Sequence, residues 1–273
     1  MVGSADASDN GEAWIGSGVF LNRRARVPTV DLVIPVFNEE AALPRLFEAL
    51  EPLTAAGIIR RIVIGDNGST DRSAALATER GAVVVCEPHR GYGAACLAAI
   101  AAIRDADRDT GKAVPLPDAV AFLDADLSDD PAQLPRLIEA LETHDLVIGS
   151  RPKLAEPGSL TATQRFGSRV ASLILRVLTG HRYRDLGPMR AIGWEALERL
   201  GMQDRTWGWT VEMQAKAAMS GLRILEIDVP YRRRTAGHSK ISGTIIGSAR
   251  AGWKIVVTAF VIRLTWQPAR DGR

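Results

Sequence analysis

A chain of 273 residues with 46% apolar and 24% charged side chains has a globular balance, which excludes disordered and fibrous classes and leaves room for one large domain or a domain with an extension. Two cysteines, Cys86 and Cys96, offer neither a disulfide framework nor metal-ligand spacing, and so point to a reducing cytosol. The net charge of +2 hides a division: residues 31–150 carry twenty acids against ten bases, and residues 151–273 carry twenty-one bases against nine acids, an acidic half suited to a cation and a basic half suited to phosphate or a membrane face rather than to nucleic acid.

Residues 1–28 are polar and Gly/Ser-rich and read as a flexible tail with no signal peptide. From there, short β-branched runs alternate with helical periodicity, the pattern of an α/β protein with an open, mostly parallel sheet flanked by helices. Asp31–Val36 is the first predicted strand, followed by a helix whose Leu43, Leu46, Phe47 and Leu50 share one face, with Pro44 in its first turn. Arg61–Gly65 is the second strand, with a helix from about Asp71 stopped by Gly81. Ala82–Cys86 is the third, followed by an Ala-rich helix from Tyr92, and Ala119–Leu123 is the fourth. Asp130, Pro131 and Gln133 have the spacing of a capped helix start, with Leu134, Leu137, Ile138 and Leu141 as its buried face. Asp145–Gly149 is a fifth strand. Beyond it lie a helix near Gln164–Leu178, loop-rich sequence, a helix around Thr210–Met219 and a strand at Leu222–Val229. No run approaches the ~20 apolar residues that a membrane span needs.

The chemistry gathers at strand ends. Asp124-Ala-Asp126 follows the fourth strand directly, and two carboxylates one residue apart can share a divalent cation at the open edge of a sheet. An EF-hand loop is excluded, because its sixth and twelfth positions would be Asp129 and Pro135 instead of Gly and Glu. A phosphatase of the haloacid dehalogenase type would place its two aspartates after the first strand, and a dinucleotide fold would place its glycines there. Pro35-Val-Phe37-Asn-Glu39 ends the first strand, Gly65-Asp66-Asn67-Gly68-Ser69-Thr70-Asp71 the second, and Arg90-Gly-Tyr-Gly93 follows the third. Asp66 is suited to accept from a base edge. Gly68 and Gly93 either admit a nucleotide closely or serve as turn glycines. Four such motifs on four consecutive strands define a ligand edge.

With these motifs the chain resembles glycosyltransferase family 2, most closely its polyprenyl- or dolichol-phosphate mannosyl- and glucosyltransferase branch, over about Val30 to Gly252. The resemblance implies a GT-A fold and a donor site made by Pro35, Phe37, Glu39, Ile64, Asp66, Gly93, Asp124, Ala125, Asp126, Arg151, Arg234 and Lys240. Phe37 stands where Tyr is usual. Asp124, Asp126 and, more weakly, Ser128 would hold Mg²⁺ or Mn²⁺. Gly149-Ser-Arg151 and Asp185-Leu-Gly-Pro-Met-Arg190 match family segments, with Met189 in place of Phe, and Arg234-Thr-Ala-Gly237-His-Ser239-Lys240 matches a loop that closes on the donor diphosphate.

The family inverts by direct displacement, so the implied reaction moves a hexose from a UDP- or GDP-sugar to polyprenyl phosphate at the cytoplasmic membrane face, or to a soluble small-molecule or saccharide hydroxyl. A hydroxyl acceptor requires a base. Glu212 is the first candidate and Asp185 the second, with an ordinary helix ion pair as the bland reading of Glu212. The expected divisions are the tail at 1–28, the catalytic domain at 29–240 and an amphipathic helix and tail at 241–273. In that last segment Ile245, Ala249, Trp253, Val256, Phe260 and Leu264 keep helical spacing beside Arg250, Lys254 and Arg263, which suits a peripheral membrane contact, packing on the domain or a homo-oligomer interface.

Overall fold

The structure is a computed structural model that describes residues 28–106, 114–233, 257, 258 and 260–266. The expected N-terminal tail, Arg234, Lys240 and the segment from Ile245 to Val256 lie outside the described residues. The elements in chain order are β1 (Val30–Val36), α1 (Leu43–Ala55), β2 (Arg61–Asp66), α2 (Ser73–Glu79), β3 (Val83–Cys86), α3 (Tyr92–Arg104), β4 (Ala119–Phe122), α4 (Leu134–Glu139), β5 (Leu146–Ser150), α5 (Ala162–Thr179), β6 (Arg190–Gly193), α6 (Trp194–Leu200), α7 (Trp209–Met219) and β7 (Ile224–Asp228).

The seven strands form one sheet in the order β3-β2-β1-β4-β6-β5-β7. All pairings are parallel except those of β6, which runs antiparallel to β4 on one side and to β5 on the other. The central strands read as continuous apolar runs because both faces are covered. Leu32, Ile34 and Ile64 meet the apolar faces of α1 and α4, while Val33, Val63, Val120 and Phe122 meet α3, α5, α6 and α7. Asp31 is fully buried within β1, and the guanidinium groups of Arg60 and Arg61 neutralise it through hydrogen bonds of 2.6–3.1 Å.

Three local expectations change. Asp130 does cap its segment, accepting from Ala132 N at 3.1 Å, but it opens a 3₁₀ turn over Pro131–Gln133 ahead of α4. Gln133 completes no capping box there, because its side-chain oxygen takes Arg136 Nη1 at 2.7 Å. The stretch read as loop-rich contains β6, which opens on a charged arginine, and α6, which follows it directly. The described part of the C-terminal helix packs on the domain through Ile262 and Trp266, with Thr258 Oγ1 3.3 Å from Asp204 Oδ2 and the Trp266 ring 5.5 Å from Lys216 Nζ. Phe260 and Leu264 of the expected apolar stripe point to solvent.

Candidate active site

The carboxyl ends of β1, β2, β4 and β5 lie on one edge of the sheet, since these strands are mutually parallel. The loops after β1 and β2 are laced together. Asn38, whose φ of 52° is tolerated better by Asn than by most residues, accepts from Thr70 N at 2.8 Å, and its own N–H donates to Ser69 Oγ at 3.0 Å. Glu39 N donates to Ser73 Oγ at 2.8 Å, and the Arg90 guanidinium stacks 3.6 Å above the Phe37 ring. Asp66 is buried. Its Oδ2 accepts from Ser69 N at 3.1 Å, while Oδ1 has no protein partner, an acceptor awaiting a donor. Ile64 and Ala125 turn their side chains into the core, so only their backbone can face a ligand.

A second loop pair fills the space that the glycine motif leaves. Asn67 ties the loop after β3, donating to Glu87 O and His89 O and accepting from Gly91 N at 2.7 Å. The backbone of Asp204–Thr206 then lies against the start of α3, where Gly93 N donates to Thr206 O and Ala94 N to Arg205 O. A Cβ on Gly93 would sit 1.9 Å from Asp204 O, and one on Gly91 1.9 Å from Arg205 O. The missing side chains of these glycines therefore admit a protein loop.

Beyond β4 the chain turns sharply, with Leu127 at φ 59°. Asp124 Oδ1 accepts from the Tyr92 hydroxyl at 3.1 Å. Asp126 is buried, and its Oδ1 accepts from Ser128 N at 2.9 Å and from Ser128 Oγ. The Ser128 hydroxyl proton thus helps to aim Asp126, while the hydroxyl oxygen keeps its lone pairs. Asp129, which sequence reasoning passed over, is 1% exposed with both carboxylate oxygens unpartnered. Burial raises its pKa to about 8 against the pull of Arg151, and Asp124, Asp126 and Asp185 push in the same direction as burial. Its only sequence signal is a third acid directly after the Asp-Ala-Asp turn. Tyr231 bridges to Asp129 and to Ala155, and Arg232 N donates to Ser128 O at 2.8 Å, so the basic stretch that continues to Arg234 begins against this turn.

Arg151, just past β5, is held bidentately by Asp185: Nε to Oδ2 at 2.7 Å and Nη2 to Oδ1 at 3.0 Å. Ser168 Oγ and Leu186 N also donate to Asp185 Oδ1. Burial would raise the Asp185 carboxyl, but Arg151 and these donors bring it below the ordinary value. Arg190 is fully buried at the start of β6, and its guanidinium reaches the carbonyls of Gly187, Pro188 and Thr210. Glu212, 3% exposed, pairs with Lys216 at 2.7 Å and accepts from Gln203 N and Asp204 N. It anchors the 203–206 loop and presents no open lone pair to a substrate, as does Asp185 in its own network. The surroundings of Glu212 match the ion-pair reading rather than that of a base. Trp207, 6.4 Å from the Tyr92 ring, is partly exposed, and Trp209 is buried against Phe122.

One sheet edge thus gathers a buried carboxylate with an open oxygen, a paired carboxylate turn and a fixed arginine, and comparison with known proteins places the fold. The family model for glycosyl transferase family 2 matches residues 31–200. A glycosyltransferase of Mycobacterium tuberculosis, named as uncharacterised, is 39% identical over 233 residues, covering 83% of this chain and 97% of that protein. The undecaprenyl-phosphate mannosyltransferase of Micrococcus luteus is 34% identical over 166 residues, 56% of this chain and 63% of its own length. Among solved structures, glucosyl-3-phosphoglycerate synthase from Mycobacterium tuberculosis, in complex with Mn²⁺, UDP and glucosyl-3-phosphoglycerate, superposes with a TM-score of 0.66 at 21% identity over 90% of this chain and 83% of its own. The chain belongs to glycosyltransferase family 2: it is a glycosyltransferase with the GT-A fold.

Proposed function

We propose that this enzyme moves a hexose from a UDP- or GDP-sugar to polyprenyl phosphate, with inversion and with a divalent metal. The observation that carries the reading is the convergence on one sheet edge of the unpartnered Asp66 Oδ1, the Asp124 and Asp126 carboxylates and Arg151. Asp66 would accept a hydrogen from the base, with Phe37 and the stacked Arg90 beside it. Asp124 and Asp126 supply hard oxygen donors of the kind that Mg²⁺ and Mn²⁺ prefer. Among the described residues no group of three or more His, Cys, Asp or Glu is arranged around a common point, so two carboxylates would leave further coordination sites to diphosphate oxygens and water. A metal held there supplies positive charge to the leaving diphosphate. Arg151, held rigid by Asp185, adds a preorganised cation on the β5 side, and the segment containing Arg234 and Lys240 would add more.

In the displacement, the bond between the anomeric carbon and the diphosphate oxygen breaks while an acceptor oxygen bonds to the opposite face of that carbon. The electron pair leaves with the nucleoside diphosphate. A phosphate acceptor arrives already anionic and needs no base, whereas a sugar hydroxyl would need one. Both carboxylates considered for that role are committed to fixed partners, Glu212 to Lys216 and two backbone N–H groups, Asp185 to Arg151. This favours phosphate over a hydroxyl acceptor. Relatives named as undecaprenyl-phosphate transferases support the same reading. No helix among the described residues is long and apolar enough to cross a membrane.

The test is release of nucleoside diphosphate by purified protein given Mn²⁺ or Mg²⁺, a panel of UDP- and GDP-sugars, and undecaprenyl phosphate or a soluble phosphorylated or saccharide acceptor. Turnover should require lipid phosphate and one donor, and Asp126→Ala should lose at least ~100-fold of it. Equal release from Asp126→Ala, or turnover with a soluble saccharide alone, would overturn the corresponding half of the proposal. Metal binding has its own readout: Mn²⁺ with UDP should raise the Tm of the parent protein but not that of Asp126→Ala.

A further inference from the structure

The outer face of α5 takes no part in the site described above. The helix is firmly built. Thr161 and Gln164 form a reciprocal capping box at its start, and Gly180, at φ 76°, closes it. Ala171, Ser172 and Leu175 pack inward. On the opposite side Phe166, Leu173 and Val177 are 69%, 59% and 76% exposed, and the half-buried Val170 completes their row at i, i+4, i+7 and i+11. A soluble amphipathic helix turns a polar face outward; this one turns out a row of large apolar side chains. Its charged residues are Arg165, Arg169 and Arg176, all exposed, and there is no acid in its 18 residues. At 100° per residue the three arginines fall on one flank of the apolar row.

We propose that this face of α5 lies flat on an anionic bilayer, with Phe166, Leu173 and Val177 at the boundary between headgroups and acyl chains and the three arginines on lipid phosphates. The proposal rests on the polyprenyl-phosphate reading and says from which side of the molecule that lipid arrives. The charge selects the occupant: a purely cationic flank complements anionic headgroups, whereas a second copy packed on the same face would bring the same arginines near one another. Position points the same way. Ser168, on this helix, donates to Asp185 Oδ1 at 2.9 Å, and that carboxylate holds Arg151. Ser168 is on the opposite side of the helix from the apolar row, so a bilayer against α5 would lie one helix diameter, ~10 Å, from the Arg151–Asp185 pair, close enough for a lipid phosphate to approach around the helix.

The test is flotation of the purified chain with vesicles of phosphatidylcholine alone or mixed with phosphatidylglycerol. The protein should float with the mixed vesicles, in a salt-sensitive manner, and poorly with the neutral ones. Arg169→Ala should weaken binding about fivefold. Phe166→Glu combined with Leu173→Glu should weaken it at least ~10-fold, with Val177→Glu alone as a milder check and circular dichroism to confirm folding. No flotation, or flotation equal in parent and variants, would overturn the proposal. So would a dimer seen by light scattering that these variants dissolve while flotation persists. Nucleotide release with a short, water-soluble polyprenyl phosphate should be unchanged in the variants. Its absence in the parent protein sinks the acceptor reading, whereas its presence without flotation sinks only the membrane face.

Discussion

Asp185 and Glu212 illustrate what a single residue's surroundings decide. Both are acids in a donor-binding fold, and the sequence offered each as a base; the structure surrounds each with donors. Removing one member of a buried pair strands the other, so Asp185→Asn should cost about 3–5 kcal/mol of unfolding free energy, measured by urea denaturation. A mere base would lose turnover with its stability intact. The pH dependence has a definite sign. Burial raises the Asp185 carboxyl, but Arg151 and the N–H and O–H donors outweigh it and leave the folded value below 3.8. Stability from this group is then complete above pH 3.8 and lost as pH falls through the lower folded value. Acid titration of the Tm should accordingly be less steep below pH 3.8 in Asp185→Asn than in the parent protein. Asp129 was invisible to sequence reasoning because nothing in a run of acids tells which one the fold will bury without a partner.

At the scale of elements, legibility followed length and period. The helices that became α1, α3, α5 and α7 were readable because their apolar positions recur over three or more turns. β6 and α6 were missed although β3, β4 and α2 have the same lengths: β6 holds a single β-branched residue and opens on a charged Arg190 that only a buried setting explains, and α6 follows it at the next residue with no turn between them. Arg190→Ala should therefore destabilise by roughly 3 kcal/mol, since it leaves a void and three carbonyls without their donor, a loss readable in thermal melts. The glycine motif after β3 was readable as a close approach but not as to what approaches. Gly93→Ala should lower the Tm of the ligand-free protein, because its Cβ meets the Asp204 carbonyl. A glycine that faced only a nucleotide would instead raise KM and leave the Tm alone.

For the whole molecule, the parallel sheet, its helical cover and the edge that carries the ligand motifs were all foreseen from alternating strand and helix patterns. The position of the motifs at the carboxyl ends of parallel strands was foreseen because strand ends are local in sequence. The distant partners were not: Arg151 and Ser168 reach Asp185 from 34 and 17 residues away, the 203–204 backbone reaches Glu212 from the preceding loop, and the carbonyl beside Gly93 comes from Asp204, more than a hundred residues on.

The strand that escaped notice also acts as a gauge. β6 lies between β4 and β5, with Arg190 opposite Phe122 on one side and Ile148 on the other. Strands in a sheet sit about 4.8 Å apart, so the acidic turn that follows β4 and the arginine that follows β5 leave the sheet about 10 Å apart, two lattice steps instead of one. Had β5 paired directly with β4, as chain order would suggest, that separation would be halved. By inserting a strand of opposite direction, the fold keeps the acidic turn and the Arg151–Asp185 pair two strand spacings apart, a gap that any ligand touching both would have to span.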